Sequence, residues 1–451
     1  MGIQRLAIVG GDAAGMSAAS AARRRDPDLE IVAFERGPYT SYSACGIPYF
    51  VGGLVEEADR LISRSPEEHR ANGIDVRTRC EVVAIDLGAR RLTVRSASGE
   101  ESGEPFDQLV VATGAEAIRP PFPGAEAIEP AQTVDAAERL RAALERRGRT
   151  HAGVVVVGAG YIGLEMAEAF VDRGLRVTMI EQAPQVMATL DADMAAHVQD
   201  AAEARGVHVV LGAAVEEIVL DEDGAPVAVR TADETFDADH VVVGVGSKPL
   251  VGLASDAGLE VGDSGALRVD DHQRCPGHDG VFAAGDCAES HHRVLDLAVN
   301  IQLGTHANKQ GRIAGVNATG GDDRFPGVIG TAVSKICRYE VGRTGISERE
   351  ASDAGIEVVA ATIKDRTRAG YYPGAGPIWV KLLAEPASGR LLGGQIVGTE
   401  GAAKRIDVLA TAVWTGLAVQ ELALLDLSYA PPFSGVYDPL LIAARALAKQ
   451  L

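Results

Sequence analysis

The chain has 451 residues, 46% hydrophobic, 24% charged and only 4% aromatic, a globular composition too long for one ordinary core, so two or three domains are expected. Lys and Arg number 43 against 63 Asp and Glu, a formal charge of −20. That balance repels polyanions at long range and argues against general nucleic-acid binding.

The N-terminal MGIQRLAIVGGDAAG runs straight into a strand-and-glycine motif. It leaves no room for a signal peptide, and no apolar run approaches the ~18 residues of a membrane span, so a cytoplasmic protein without membrane partners is expected. Residues 5–36 read as strand, glycine turn, Ala-rich helix, strand and acid. The turn GGDAAG (10–15) carries Asp12 where a GxGxxG motif has its middle glycine, and Glu35 follows 20 residues after Gly15, the spacing of a ribose ligand. Next comes SYSACGIPYFVGG (41–53), with Cys45 among small residues and Phe50 where a redox dithiol would place its second sulfur. The five cysteines, Cys45, Cys80, Cys275, Cys287 and Cys337, are odd in number and lack CxxC spacing. They suggest neither a disulfide framework nor a metal site and fit a reducing compartment. Cys45 alone would read as a packed small hydrophobe, as the other four do.

A β-rich stretch ends in the small-residue turn Ala112-Thr113-Gly114, and Pro120, Pro121 and Pro123 mark a crossover. Residues 153–182 repeat the first unit. GAGYIG (158–163) is a full GxGxxG between a strand of four valines and a helix, and Glu181 lies 18 residues after Gly163. The glycines permit a tight turn and close approach of backbone N–H groups to a pyrophosphate at the helix N-terminus. A carboxylate at the strand end binds both ribose hydroxyls and repels a 2′-phosphate, which favours NADH, with NADPH as the alternative. A second β-rich stretch ends in HVVVGVGSKP (240–249), and HDGVFAAGDCAES (278–290) reads as an apolar strand ending on Asp286. QLGTHANKQGR places His306 at the start of a helix. From about 323 the pattern becomes antiparallel strands followed by helices at 403–417 and 437–449.

Taken together, the Gly-rich start with Glu35, the ATG turn, the second GxGxxG with Glu181 and VFAAGD ending on Asp286 resemble the two-dinucleotide-domain flavoprotein disulfide reductases, over essentially the whole chain. The resemblance implies an α/β fold with two Rossmann-like dinucleotide-binding domains and a C-terminal α+β dimerisation domain. These would be an FAD domain at 1–117 and 248–322, an NAD(P)H domain at 118–247 and an interface domain at 323–451. It implies FAD contacts from Gly10, Gly11, Ala14, Gly15, Glu35, Arg36, Val82, Ala112, Thr113, Gly114, Gly285 and Asp286. For NAD(P)H it implies Gly158, Gly160, Tyr161, Ile162, Gly163, Glu181 and Gly246.

The dithiol branch of that family needs a second cysteine and a C-terminal histidine; here Phe50 takes the first place and no histidine follows His306. The single-cysteine branch remains. Its oxidase and peroxidase members carry a histidine in the first glycine turn, where this chain has Ala13. Its coenzyme A-disulfide reductase members carry Ser-x-x-x-Cys followed by Gly-x-Pro-Tyr, which Ser41, Cys45, Gly46, Pro48 and Tyr49 match. Tyr371-Tyr372-Pro-Gly and Leu427-Ser428-Tyr429-Ala-Pro-Pro-Phe match the tyrosine segments contributed by the partner subunit.

The expected enzyme is thus a homodimer, its active site shared between subunits. It reduces a small disulfide, coenzyme A disulfide or a related persulfide or polysulfide, through a mixed disulfide on Cys45. A free thiol ionises near a pKa of about 8.5, and Pro48 suits a helix first turn that would set Cys45 near a helix N-terminus, favouring the thiolate. Tyr429, then Tyr371, are the candidate proton donors to the leaving thiolate. Arg23, Arg24 and Arg64, with Tyr49 and Asn308, are candidate substrate contacts, while His306 matches no family role. Rival readings are an NADH oxidase cycling Cys45 through sulfenic acid and a flavoprotein redox sensor.

Overall fold

The computed structural model describes residues 3–146 and 153–451. The first unit folds as β1 (Arg5–Val9), α1 (Ala13–Arg25) and β2 (Glu30–Glu35), followed by α2 (Ile47–Gly52), β3 (Asp75–Thr78) and β4 (Gln108–Val111). The second folds as β5 (Gly153–Val157), α3 (Tyr161–Asp172) and β6 (Arg176–Glu181), with β7 (Val207–Leu211) and β8 (His240–Val243) completing its sheet. β9 (Val281–Ala283) and α4 (Gly304–Ala318) then return to the first unit.

Two parallel sheets result, ordered β9-β4-β1-β2-β3 and β7-β6-β5-β8. Every residue of β5 is buried, as expected for a strand covered on both faces. The first sheet unites strands from before and after the second unit. The two connecting segments, Ala115–Ala117 and Ser247–Pro249, pair antiparallel as they pass each other. β9 stops at Ala283 rather than running on to Asp286. Gly285 turns there with φ +83° and its N–H donates to Gln310 Oε1 at 3.0 Å instead of to a neighbouring strand.

Small residues decide where α4 lies. A Cβ on Gly311 would stand 2.1 Å from the Ala14 carbonyl oxygen, and one on Gly315 the same distance from that of Ala18. Spaced four apart, these glycines share one helical face, so α4 rests directly on the α1 backbone. Its first turn consequently points at the Gly285–Asp286 corner, where Ala307 meets Gly285.

The C-terminal domain is a five-stranded antiparallel sheet. β10 (Ala332–Ile336) and β11 (Tyr339–Gly345) form its hairpin, followed by β12 (Val359–Arg366), β13 (Pro377–Ala384) and β14 (Leu391–Gly398). The order is β10-β11-β14-β13-β12. Helices Ile406–Thr415 and Pro439–Ala448 cover it through Leu409, Leu440 and Leu447. Polar joints fix this domain to the second unit. Buried Lys381 reaches Glu348 at 2.5 Å, Asp193 at 2.8 Å and Asp191 at 3.2 Å. On α3, Glu165 accepts from Ser334 Oγ and Glu168 from Lys335 Nζ, each at 2.6 Å. Among the described residues no helix is long and apolar enough to cross a membrane.

Candidate active site

The two glycine turns are built alike. In the first, Glu35 accepts N–H groups from Gly11 at 2.8 Å and Gly37 at 2.6 Å. In the second, Glu181 accepts from Ala159 at 2.7 Å and Ala183 at 2.8 Å. Each carboxylate is therefore fixed at its strand end, with acceptor capacity left for a ribose. Gly10 (φ +109°) and Gly158 (φ +100°) need glycine, since a Cβ would meet the Ala112 carbonyl oxygen at 2.0 Å and that of Gly244 at 2.5 Å. Gly15 and Gly163 likewise admit close packing, on the carbonyls of Gly10 and Gly158. Gly160 and Gly114 are different: a Cβ there would meet nothing within 4 Å. The backbone at those two places is open to a bound group, and the residues present fit two dinucleotides.

Around the first turn, Ala14 is buried under α4, and Thr113 Oγ1 donates to the Leu250 carbonyl at 2.6 Å, tying the two connecting segments together. Asp286 is half-buried, and burial raises its carboxyl above the usual range. The Val82 side chain lies in the core, on a strand paired with Val94. Arg36 is exposed and lines a cavity of about 340 Å³ with Arg79, Glu81 and Arg95, just outside Glu35. Around the second turn, Ile162 is exposed, Tyr161 takes a hydrogen bond from Thr189 Oγ1, and Gly246 turns at φ +106°.

Cys45 stands on a single turn, Ala44–Gly46, directly before α2. The residue is exposed although its thiol is partly buried, and all five cysteines are free. The loop that carries it is held on two sides. Ser41 N–H donates to Gly11 O at 3.2 Å and Tyr42 N–H to Asp12 Oδ1 at 3.1 Å. Ser43 N–H donates to Leu61 O at 2.7 Å, and Ser41 O accepts from Ser63 N–H at 2.8 Å. Ser41 itself sits at φ +48°, with its hydroxyl 3.0 Å from Nε2 of buried His69. It therefore supports the loop.

Pro48 lies in the first turn of α2, as its sequence position suggests. Phe50 is 4% exposed beneath the Arg141 guanidinium, 4.7 Å from the ring centroid. Arg141 also donates to Phe50 O at 3.4 Å and to Glu56 O at 2.8 Å, and Arg173 donates to Val51 O, so two arginines hold the carbonyl end of α2 and the loop after it. No sulfur could replace Phe50 without emptying part of this core.

The expected lowering of the Cys45 thiol is not what one protomer provides. Burial, then the Glu165 carboxylate, then Asp286 and Asp12 push it up, against a backbone hydrogen bond that lowers it. Glu165 is itself raised by burial. Sequence reasoning missed this residue, although it shares an α3 face with Tyr161 four positions earlier. Tyr49 stands in the same group, its phenol raised by burial and then by Glu165, Glu168 and Cys45. The site thus brings together Cys45, Tyr49 and Asp286 with Glu165 from the second unit.

Other candidates fall elsewhere. Tyr371 and Tyr429 both lie in the C-terminal domain, 78% and 48% exposed, as do exposed Phe433, Val436 and Tyr437. Arg23 donates to the backbone oxygens of Pro27 and Leu29 at 2.6 Å and Gly73 at 2.7 Å. It staples the first unit and has no free face for a substrate. Arg24 and Arg64 are exposed, and Asn308 takes a hydrogen bond from Ser17 Oγ at 2.7 Å on the outer face of α1 and α4. His306, third residue of α4, stands 3.2 Å from Ile301 O, and burial lowers its pKa.

The pyridine nucleotide-disulphide oxidoreductase model matches residues 4–311, and that family's dimerisation domain matches residues 331–440. The chain is 37% identical over 446 residues to a CoA-dependent NAD(P)H sulfur oxidoreductase of Pyrococcus abyssi, covering 98% of this chain and 97% of that one. It is 36% identical over 451 residues to an NADH oxidase of Methanocaldococcus jannaschii, covering 99% of each. The solved NAD-dependent persulfide reductase from A. fulgidus superposes with a TM-score of 0.95 at 38% identity, over 99% of this chain and 83% of that one. With these two family models spanning most of its length and relatives of this identity over nearly all of it, the chain belongs to the pyridine nucleotide-disulphide oxidoreductase family.

Proposed function

We propose that the chain is an FAD-dependent NAD(P)H oxidoreductase that reduces a small disulfide or persulfide of coenzyme A type through Cys45. The observation that carries this reading is the lone, exposed Cys45 between the two dinucleotide turns, with buried Phe50 where a partner sulfur would stand. FAD, when bound, supplies the relay that passes two electrons from the nicotinamide to sulfur. Glu35 and Asp286 would hold its ribose and ribityl hydroxyls, and the basic cavity at Arg36 its adenosine end. Gly160 would admit the nicotinamide dinucleotide and Glu181 would select NADH.

The residues of the chain do the rest. The Cys45 thiolate attacks one substrate sulfur, the substrate S–S bond breaks, and one thiol leaves while the other stays joined to Cys45. Two electrons then cleave that mixed disulfide and return Cys45 to a thiolate. The departing sulfur needs a proton, and no histidine stands in the C-terminal domain. Tyr429 of the partner subunit, supported by the partner's Tyr371, supplies it in a site shared across the homodimer.

Cys45→Ser should lose NADH-driven reduction of coenzyme A disulfide, and intact mass should show a thiol adduct on Cys45 of the native enzyme. Retained reduction in Cys45→Ser would sink the proposal. Mixing Cys45→Ser with Tyr429→Phe subunits should restore activity if the site is shared, because one of the two sites in the hybrid is then intact. The M. jannaschii relative favours a second reading, an NADH oxidase; rapid oxygen uptake with NADH alone, lost in Cys45→Ser, would select it.

A further inference from the structure

Asp12 occupies the position where a dinucleotide turn has its middle glycine, and it is the N-cap residue of α1. An Asp at that position ordinarily turns its carboxylate onto the first N–H groups of the helix. Here it makes no such cap. Oδ1 reaches out of the turn and accepts the Tyr42 N–H at 3.1 Å, while the neighbouring Gly11 carbonyl accepts the Ser41 N–H at 3.2 Å. Those two bonds join the turn to the loop on which Cys45 stands. The uncapped N–H groups of α1 are left for the anion that such a turn receives.

We infer that Asp12 is a positioning residue whose carboxyl oxygen ties the Cys45 loop to the FAD turn, and that it holds a proton when FAD is bound. Two negative groups would otherwise share one helix N-terminus, the Asp12 carboxylate and the FAD pyrophosphate. The ionisable groups facing Asp12 do nothing to relieve this. Glu35 comes from the end of β2 and Asp286 from the corner after β9, both acids. Tyr42 and Cys45 lie on the loop, their own ionisation disfavoured by Asp12, and Arg36 acts at Tyr42. Burial, then Glu35, already raises the Asp12 carboxyl to about 7 before any phosphate arrives. A protonated carboxyl keeps one oxygen to accept from Tyr42, so the tether survives neutralisation.

The sign follows. A bound dianion raises the Asp12 pKa further, so FAD binding takes up a proton from solvent. Affinity is then greatest and flat below pH 7, and FAD release grows as pH rises above it, by up to about tenfold per unit. The inference rests on FAD occupying the first turn, and its readouts use no disulfide, so failure of the disulfide assay would leave them untouched.

The experiment dilutes holoenzyme to nanomolar concentration at pH 6 to 9, follows released flavin by fluorescence at equilibrium, and measures amide exchange over 40–46 in the same samples. Wild type should release more FAD with rising pH. Asp12→Asn, which keeps the acceptor oxygen but cannot ionise, should show the low-pH affinity throughout and native exchange at Tyr42. Asp12→Ala should also lose the pH dependence, and its Tyr42 amide should exchange at least about tenfold faster. An Asp12→Asn enzyme that retains the wild-type pH slope overturns the proton assignment. Equal Tyr42 exchange in Asp12→Ala and wild type overturns the tether.

Discussion

The two glycines of the second turn make opposite predictions, and the contrast tests where the nicotinamide dinucleotide lies. Gly160 has φ −76° and ψ −171°, a conformation open to any L-residue, and an added Cβ would meet nothing within 4 Å. Gly160→Ala should therefore keep the fold, or stabilise it by about 0.4–1 kcal/mol through the unfolded state. Its methyl group would stand between the α3 N-terminus and a pyrophosphate. Losing one charge-assisted hydrogen bond costs about 1.5–3 kcal/mol, which is roughly 10- to 150-fold in NADH affinity. Gly158→Ala differs. Its φ is +100°, and its Cβ would stand 2.5 Å from the Gly244 carbonyl oxygen, so strain of about 1–3 kcal/mol adds to overpacking of similar size. The assay is NADH KM and kcat alongside a urea unfolding midpoint and the FAD content of each variant. Gly160→Ala should raise KM with the midpoint and FAD content held, whereas Gly158→Ala should lower the midpoint. An NADH KM within twofold of wild type for Gly160→Ala would refute the placement of the cofactor over that turn.

Glu165→Gln removes the foremost charge that holds the Cys45 thiol protonated, so the pH midpoint of Cys45 alkylation in the holoenzyme should move to lower pH; no movement would remove Glu165 from the site. Lys381→Met leaves Asp191 buried beside Asp193 and Glu348 without its cation, which should cost about 3–5 kcal/mol in urea unfolding. Phe433→Glu places a charge in the segment that carries exposed Tyr429 and Tyr437, and light scattering should show the dimer giving way to monomer.

Much of the architecture was legible because it is written in local spacing. GAGYIG before a helix and Glu181 at the next strand end fix a strand–turn–helix–strand unit within thirty residues, and the first unit repeats it down to which N–H groups hold the acid. The change to antiparallel strands after about residue 323 is legible too, as successive short apolar runs. What was not legible depends on residues far apart in the chain. Nothing near Arg23 says that it would bind the carbonyls of Leu29 and Gly73, and nothing near Phe50 says that Arg141 would cover it. The helix start at Pro48 is legible in the sequence, yet its effect on Cys45 is outweighed by burial and then by Glu165, which arrives on α3 of the second unit.

That reversal bears on how a single sulfur can work. In a dithiol enzyme the resting form is a disulfide, and neither sulfur is exposed to chance oxidation as a thiolate. Cys45 has no such partner, since Phe50 closes the place with core packing. Its thiol would be oxidised in proportion to its thiolate fraction. Burial first, then Glu165, Asp286 and Asp12, disfavour that form in the isolated protomer. The same acids would slow attack on substrate if they were the only charges present. In the isolated protomer the thiolate form of Cys45 is therefore disfavoured, first by burial and then by the Glu165 carboxylate.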